Sequence, residues 1–282
     1  MSEQIDKAIR WATELFETCS ESARLDAELL LAHCLQKPRS FLYSWPEMKL
    51  SDSCWQRFQA LVQQRRRPTP VAYLLGKREF YSMEYASTPA ALVPRPETEL
   101  LVELALRQIP RDQALRICDL GTGTGIIAIT LKKQRPLLHV LATDIDPACL
   151  ALARDNARLH AVQVQFIESD WYQNLPAEPR FDMIVSNPPY VAGGHPFLSQ
   201  GDLPAEPTIA LTPGNSGLEA LEIIIQQAPD YLEPGGLLIV EHGYDQEAPV
   251  ANLMRTAGFD KVRCESDHNN LPRASLGCLL HN

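Results

Sequence analysis

The sequence predicts an α/β protein in which an all-helical segment is followed by a domain of alternating strands and helices on a mostly parallel sheet. Three observations carry this expectation. Residues 1 to about 75 show only helical periodicity. From about residue 97, apolar strand-like runs alternate with amphipathic stretches, the pattern of right-handed βαβ units. Several of those runs end in loops that carry an acid or an amide, at the strand ends where open α/β sheets bind ligands.

Composition sets the outer limits. A chain of 282 residues with 45% hydrophobic and 22% charged content is ordinary for a globular protein with a sizeable core. Its net charge of −9 argues against a broad phosphate-binding face, so no direct nucleic-acid binding is expected. The seven cysteines are widely spaced and form no C-x-x-C pair. Reduced thiols in a reducing compartment are the expectation. The amino-terminal stretch "MSEQIDKAIR" is polar and no apolar run approaches the length of a membrane span. A cytoplasmic protein with no membrane association is expected.

Taken in order, Ile5, Ala8, Ile9, Ala12, Leu15 and Phe16 recur at helical spacing. Leu25, Leu29, Leu30 and Cys34 do so again, after the capping candidates Ser20 and Ser22. A third helix is expected after Ser51-Asp52-Ser53, with Trp55, Phe58, Leu61 and Val62 on one face. Pro38, Pro46, Pro68 and Pro70 fall between these segments as breakers. The run Arg65-Arg66-Arg67 closes the third segment, where cations compensate a helix C-terminus. The whole reads as a small bundle over 1–75. A hairpin-like stretch, "REFYSMEYAS", lies in a linker over 76–96, and the larger domain occupies 97–282.

Within that domain helices are expected at 97–109, from about 124, at 147–160, at 217–232 and at 246–257. Strands are expected at 115–120, 138–143, 163–168, up to Ser186, at 237–241, 261–265 and 275–281. That makes a seven-stranded sheet.

The first strand runs into "DLGTGTG", a strand–glycine turn–helix pattern. Gly121, Gly123 and Gly125, with Thr122 and Thr124 between them, let the backbone come close to a ligand. Dinucleotide enzymes use a similar pattern, but here the third glycine comes one residue early. Asp119 stands before the turn, where a carboxylate suits an amine or sulfonium cation and not a pyrophosphate. Asp144 tips the next strand and is a candidate for ribose hydroxyls. Asp170 and Trp171 follow the third, offering an acceptor for an exocyclic amine and a stacking surface for adenine. Together these features fit S-adenosyl-L-methionine, a nucleoside cofactor without phosphate. The competing reading is that Asp144 and Asp170 cap the helices after them.

The fourth strand ends abruptly in Asn187-Pro188-Pro189-Tyr190. Two prolines in succession make a stiff segment that continues neither a sheet nor a helix. Such a loop can hold a planar NH2 group. Asn187 offers its side-chain oxygen, Pro188 a carbonyl of locked direction, and Tyr190 a ring for packing. A delocalised amide or aryl amine is a poor nucleophile, and placing it in line with an activated methyl supplies most of what the reaction needs. The histidines at 33, 139, 160, 195, 242, 268 and 281 lack metal-ligand spacing, so no metal is expected. His242 is expected to be a satisfied structural histidine.

Nearly the whole chain resembles the bacterial release-factor glutamine methyltransferases. "RPTPVAYLLGKREFY", "LVPRPETELLVE", "DLGTGTG", "ATDID", "SDW", "NPPY", "EPTIAL", "GLEAL" and "EHG" appear in the family's order. The resemblance implies a helical docking domain and a Rossmann-like class I methyltransferase domain. It implies transfer of methyl from S-adenosyl-L-methionine to the glutamine of the Gly-Gly-Gln motif in peptide chain release factors, with S-adenosyl-L-homocysteine as product. Asp119, Gly121 to Gly125, Asp144, Asp170, Trp171 and Asn187 would serve the cofactor, and Asn187 to Tyr190 the glutamine amide. A monomer acting on its protein partner is expected. A ribosomal-protein glutamine or an adenine N6 are the alternative acceptors. Ala205 departs from the family, which commonly has an aromatic residue before Glu206-Pro207, and the 191–205 substrate loop also looks individual, with Gly193-Gly194 suggesting mobility.

Overall fold

The computed structural model describes residues 3–280, so His281, at the end of the last expected strand, lies outside the described residues. The chain divides into two compact units, Met1–Lys77 with Pro196–Glu206 and Arg78–His195 with Pro207–Asn282.

The first unit holds α1 (Ile5–Phe16), α2 (Ala23–Leu35), α3 (Arg39–Ser44), α4 (Asp52–Arg65) and α5 (Val71–Leu75). Spacing of three and four residues puts Ile5, Ala8, Ala12 and Phe16 on one side of α1, facing Leu30, Leu31, Phe58 and Val62 in a single core. Ser51 caps α4 by accepting from the Cys54 amide at 3.2 Å. Two short helices were not anticipated. Pro38 and Pro70, read as breakers, instead occupy the N-cap positions of α3 and α5. A helix entrance demands no amide hydrogen there, so proline costs nothing.

The polar expectations for this unit also need correction. Ser20 and Ser22 do not cap α2 through their side chains; their hydroxyls donate to Asp26 at 2.7 and 3.0 Å. Asp26 also accepts from Arg65 Nε at 2.8 Å, while Arg65 Nη1 donates to Asp202 at 2.6 Å. Arg65 is 3% exposed. It is therefore a buried two-carboxylate tie and not a helix-end cation; only Arg66 and Arg67 are exposed.

In the second unit a hairpin forms from β1 (Lys77–Phe80, whose first residue closes the first unit) and β2 (Met83–Ala86). Tyr81 and Ser82 both take positive φ, 51° and 58°, the geometry of a tight two-residue turn. After α6 (Glu99–Gln108) come β3 (Arg116–Leu120), α7 (Ile126–Gln134), β4 (His139–Asp144), α8 (Pro147–Leu159), β5 (Gln165–Glu168) and β6 (Phe181–Ser186). Then follow α9 (Glu219–Tyr231), β7 (Leu232–Glu241), α10 (Glu247–Thr256), β8 (Phe259–Ser266) and β9 (Pro272–Leu279).

The strands make one seven-stranded sheet in the order β5-β4-β3-β6-β7-β9-β8, parallel except for β9. Strand alternation splits the core into two layers. Ile117, Met183, Val185 and Ile239 pack with α6, α7 and α8 on one face. Cys118, Leu120, Ile184, Leu238 and Val240 pack with α9 and α10 on the other. β7 starts at Leu232, ahead of the expected 237, because Leu232 pairs with Phe181 across an irregularity in the β6 ladder.

Removing Arg65 would leave two carboxylates without their counter-charge. Arg65→Met is expected to lower stability by about 3–5 kcal/mol, whereas Arg66→Met and Arg67→Met stay within about 0.5 kcal/mol of the parent. Urea unfolding of the three variants checks this, and equal effects at all three positions would remove Arg65 from its special place.

Candidate active site

In-register parallel pairing sets Leu120 opposite both Thr143 and Ser186, so the tips of β3, β4 and β6 emerge side by side. The glycine turn starts at the tip of β3. Thr122 donates its amide to the Thr143 carbonyl at 2.8 Å, and Gly123 donates its own to Asp144 Oδ2 at 2.8 Å. Gly125 has φ +84°, and a Cβ there would lie 2.8 Å from Ile129 Cδ1 and 3.1 Å from Ala153 Cβ. Glycine at this position both makes the left-handed turn and lets α8 approach, which is why α7 begins only at Ile126.

Asp119 lies behind this turn. Its Oδ2 accepts from the Thr122 hydroxyl at 2.6 Å and from the Ala128 amide at 3.2 Å, while Oδ1 is buried without a partner. Burial pushes its carboxyl up to about 7, against the opposing pull of Thr122 and Ala128. Expected beside a cation, it does not border the cavity; it braces the loop that does.

That cavity, of about 300 Å³, is bordered by Gly121, Thr122, Gly123, Thr124, Asp144, Asp170, Trp171, Asn187 and Pro189. Asp144 accepts from the amides of Gly123 and Asp146, and burial raises its pKa. The cap of α8 is Asp146, which accepts from the Ala148 amide at 2.8 Å, so Asp144 has no capping duty. Asp170 caps nothing either and accepts from Gln173 Nε2 at 3.1 Å. The Trp171 ring flanks the turn, 3.3 Å from where a Gly121 Cβ would stand. The charged groups around the cavity are four carboxylates (Asp144, Asp146, Asp170, Glu219) and one guanidinium (Arg95). Such a lining suits a cationic nucleoside with a ribose and a flat base. It is a poor match for a pyrophosphate.

Asn187 reaches the cavity with its side-chain nitrogen donating to Thr98 Oγ1 at 2.9 Å. Pro189 borders the cavity, and Pro188 is buried. Tyr190, expected to face a planar substrate group, points elsewhere. Its ring packs on the α9–β7 core, its hydroxyl donates to Glu241 Oε1 at 3.1 Å, and its carbonyl accepts from Gln246 Nε2 at 3.0 Å. Gly217 (φ +79°) makes room for that carbonyl, since a Cβ would come within 2.6 Å of it. Gly193 donates to the Gly214 carbonyl at 2.7 Å. His242 is fully buried, with Nδ1 at 2.8 Å from the Gly243 carbonyl and Nε2 at 2.8 Å from Ser275 Oγ. Burial lowers its pKa, as befits a satisfied structural histidine.

Thr98, Glu241 and the apolar walls Leu92, Pro94 and Ile223 were not singled out chemically from the sequence. Their only signal was the position of some of them in "LVPRPETELLVE" and "EHG".

A seven-stranded sheet of this order, with a carboxylate-lined cavity at the glycine turn that Asn187 and Pro189 of the Asn-Pro-Pro-Tyr loop also border, places the protein among the Rossmann-like methyltransferases. Family comparison agrees: residues 7–76 match the PrmC N-terminal domain, and residues 97–200 match the methyltransferase small domain. The release factor glutamine methyltransferase of Xylella fastidiosa (strain 9a5c) is 46% identical over 255 residues, covering 90% of this chain and 92% of the relative. That of Escherichia coli (strain K12) is 42% identical over 259 residues, covering 92% and 93%. Among solved structures, the T. thermophilus 16S rRNA N2 G1207 methyltransferase in complex with AdoMet and guanosine aligns with TM-score 0.53 at 20% identity, over 72% of this chain and 49% of that one. The chain belongs to the release factor glutamine methyltransferase family.

The raised pKa of Asp119 has a consequence for stability. Its usual value is 3.8, so between about 4 and 7 the folded protein keeps a proton that the unfolded chain has released. This group's contribution is therefore fully present below pH 4 and is lost as pH rises toward 7. Asp119→Asn removes that dependence, and its stability relative to the parent is expected to improve steadily from pH 5 to pH 7. Urea midpoints at several pH values check this; a constant difference would place the carboxyl's pKa outside that window.

Proposed function

We propose that this enzyme methylates the side-chain amide N5 of the glutamine in the Gly-Gly-Gln motif of peptide chain release factors, with S-adenosyl-L-methionine as donor and S-adenosyl-L-homocysteine as product. The observation that carries the reading is the side chain of Asn187, tied back through Nδ2 to Thr98 so that Oδ1 is left to accept at the cavity wall. S-adenosyl-L-methionine, when bound, supplies a methyl group activated by a sulfonium.

The protein's residues do the rest by placement. Asp144 receives the ribose hydroxyls, Trp171 stacks on the adenine and Asp170 accepts from its amine. The glycine turn, from Gly121 to Gly125 with Asp119 behind it, lets the backbone approach. Asn187 Oδ1 and the Pro188 carbonyl accept the two N–H bonds of the glutamine amide, fixing its nitrogen in line with the methyl. As the new C–N bond forms, the methyl–sulfur bond breaks and the nitrogen sheds one proton to solvent. Positioning of this kind contributes up to about 7–11 kcal/mol, so no strong base is required. Pro189 stiffens the loop and Tyr190 anchors it from behind.

The helical unit docks the release factor, and the enzyme works as a cytoplasmic monomer without direct nucleic-acid contacts. No helix among the described residues is long and apolar enough to cross a membrane.

The deciding test is mass spectrometry of purified release factor incubated with the enzyme and S-adenosyl-L-methionine. One added methyl on the Gly-Gly-Gln peptide is expected. Methylation only of a ribosomal-protein mixture or of adenine-containing DNA, run in parallel, would overturn the substrate. Asn187→Ala is expected to abolish turnover while cofactor affinity, measured by calorimetry, is nearly unchanged. Parallel loss of both would mean that Asn187 serves the cofactor and not the amide.

A further inference from the structure

The chain leaving the Asn-Pro-Pro-Tyr loop runs beside a second segment, 207–217, that also borders the cavity, through Pro207, Ile209, Ala210, Thr212 and Pro213. Backbone bonds join the two. The Val191 amide donates to the Leu211 carbonyl at 3.0 Å, and the Gly193 amide to the Gly214 carbonyl at 2.7 Å. At Tyr190 itself the join is made by a side chain from a third segment. Gln246, at the N-cap of α10 and 9% exposed, donates from Nε2 to the Tyr190 carbonyl at 3.0 Å and to the Gly217 carbonyl at 3.2 Å. Its Oε1 accepts from the Gly243 amide at 2.8 Å.

These three bonds use both donors of a primary carboxamide and one of its acceptor sites. Their direction is fixed, since two partners are backbone carbonyls, which only accept, and the third is a backbone amide, which only donates. The approach is tight. Gly217 has φ +79°, and a Cβ there would stand 2.6 Å from the Tyr190 carbonyl oxygen and 3.1 Å from Gln246 Nε2. The base of the clamp is firm as well. The Gln246 carbonyl accepts from the Val250 amide at 3.0 Å, and Val250 and Met254 of the same helix are fully buried in the core.

Only Pro189 separates Tyr190 from Pro188, and each proline ring locks its own φ. A displacement of the Tyr190 carbonyl is therefore passed on to the Pro188 carbonyl and to Asn187. We propose that Gln246 is a positioning residue: its carboxamide clamps the end of the tetrapeptide to the 207–217 segment and so keeps the acceptors of the Asn-Pro-Pro-Tyr loop aligned with the bound cofactor. This rests on the amide-directed reading of the site given above. Gln246 itself does not border the cavity. Gln246→Glu keeps the shape. Ionised, that side chain has no hydrogen to donate and sets a negative charge against two carbonyl oxygens. Neutral, it regains one O–H for one of them and still accepts from Gly243. Gln246→Met keeps the length and removes all three bonds at every pH.

The experiment uses the full-length enzyme and three readouts: kcat and KM for release-factor methylation, S-adenosyl-L-homocysteine affinity by calorimetry, and amide hydrogen exchange by mass spectrometry. At pH 8 both variants are expected to lower kcat about 10- to 100-fold, with KM and cofactor affinity changed by no more than about 3-fold. Exchange at Val191 and Gly193 is expected to quicken at least about 10-fold, while the glycine turn stays within about 2-fold of the parent. The ratio of Gln246→Glu kcat to parental kcat is expected to rise at least about 5-fold from pH 9 to pH 6, because burial favours the neutral carboxyl. The same ratio for Gln246→Met stays flat. The charged and titratable groups on the elements packed here are Asp245 and Glu247 beside the position, Glu219 of α9, Glu241 and His242 at the end of β7, and Arg273 of β9. They are common to parent and variants, so the ratio isolates the new carboxyl. A Gln246→Met enzyme of parental kcat, a pH-independent ratio for Gln246→Glu, unchanged exchange, or cofactor affinity falling in step with kcat would each overturn the proposal. Should Gln246→Met lose its folded circular dichroism, Gln246→Glu decides alone through its pH ratio and exchange. A parent enzyme that leaves the release factor unmodified overturns the substrate reading instead, and exchange and cofactor affinity then decide the clamp, since neither needs a substrate.

Discussion

In-register pairing of β3 with both β4 and β6 is the constraint on which the site depends. Leu120 stands opposite Thr143 on one side and Ser186 on the other, and Ser186 Oγ donates to the Leu120 carbonyl at 2.7 Å. The glycine turn, Asp144 and Asn187 therefore leave the sheet at one level. A slip of one residue on either ladder would turn buried side chains such as Ile184 and Val185 to the opposite layers. The two apolar faces hold the register, and the register holds the cavity.

Both functional loops are braced from behind by the same device. Asp119 accepts from the Thr122 hydroxyl beneath the glycine turn, and Glu241 accepts from the Tyr190 hydroxyl beneath the Asn-Pro-Pro-Tyr loop. Each carboxyl is buried and pushed up to about 7 by that burial, with a hydroxyl donor, Thr122 or Tyr190, working against the shift. A buried acid with few donors is costly to leave unmatched. That cost makes the geometry of its partners specific, and in both loops a partner or its neighbour reaches the cavity. Tyr190 fits the same scheme, since its ring and hydroxyl fasten the loop to β7 while Asn187 and Pro189 border the cavity.

The helical unit has its own polar tie. Asp26 and Asp202 share the buried guanidinium of Arg65, and Asp202 lies in the segment Pro196–Glu206 that follows the tetrapeptide in the chain. One arginine at the end of α4 thus ties this segment, rich in polar and turn-forming residues, to α2. Arg66 and Arg67, next in sequence and identical in chemistry, stay exposed because the helix ends there and turns them outward.

Much of the architecture was readable from local pattern. The 3.6-residue spacing of α1, α2 and α4, the alternation of strand and helix, and the glycine turn all follow from short-range rules that act within a few residues. So did the candidacy of Asp144, Trp171 and Asn187, because each stands where a strand must stop. Tertiary structure decided what depends on partners far away in the chain. It alone buried Arg65 between Asp26 and Asp202, turned Ser20 and Ser22 away from capping, and set Asp119 behind the loop and not in the cavity. It alone drew Thr98 to Asn187 across 89 positions and Tyr190 to Glu241 across 51. Periodicity reports which face of an element is buried. The partner that a buried polar group meets is fixed only when the elements pack, because desolvation makes an unmatched group costly wherever the chain happens to bring it.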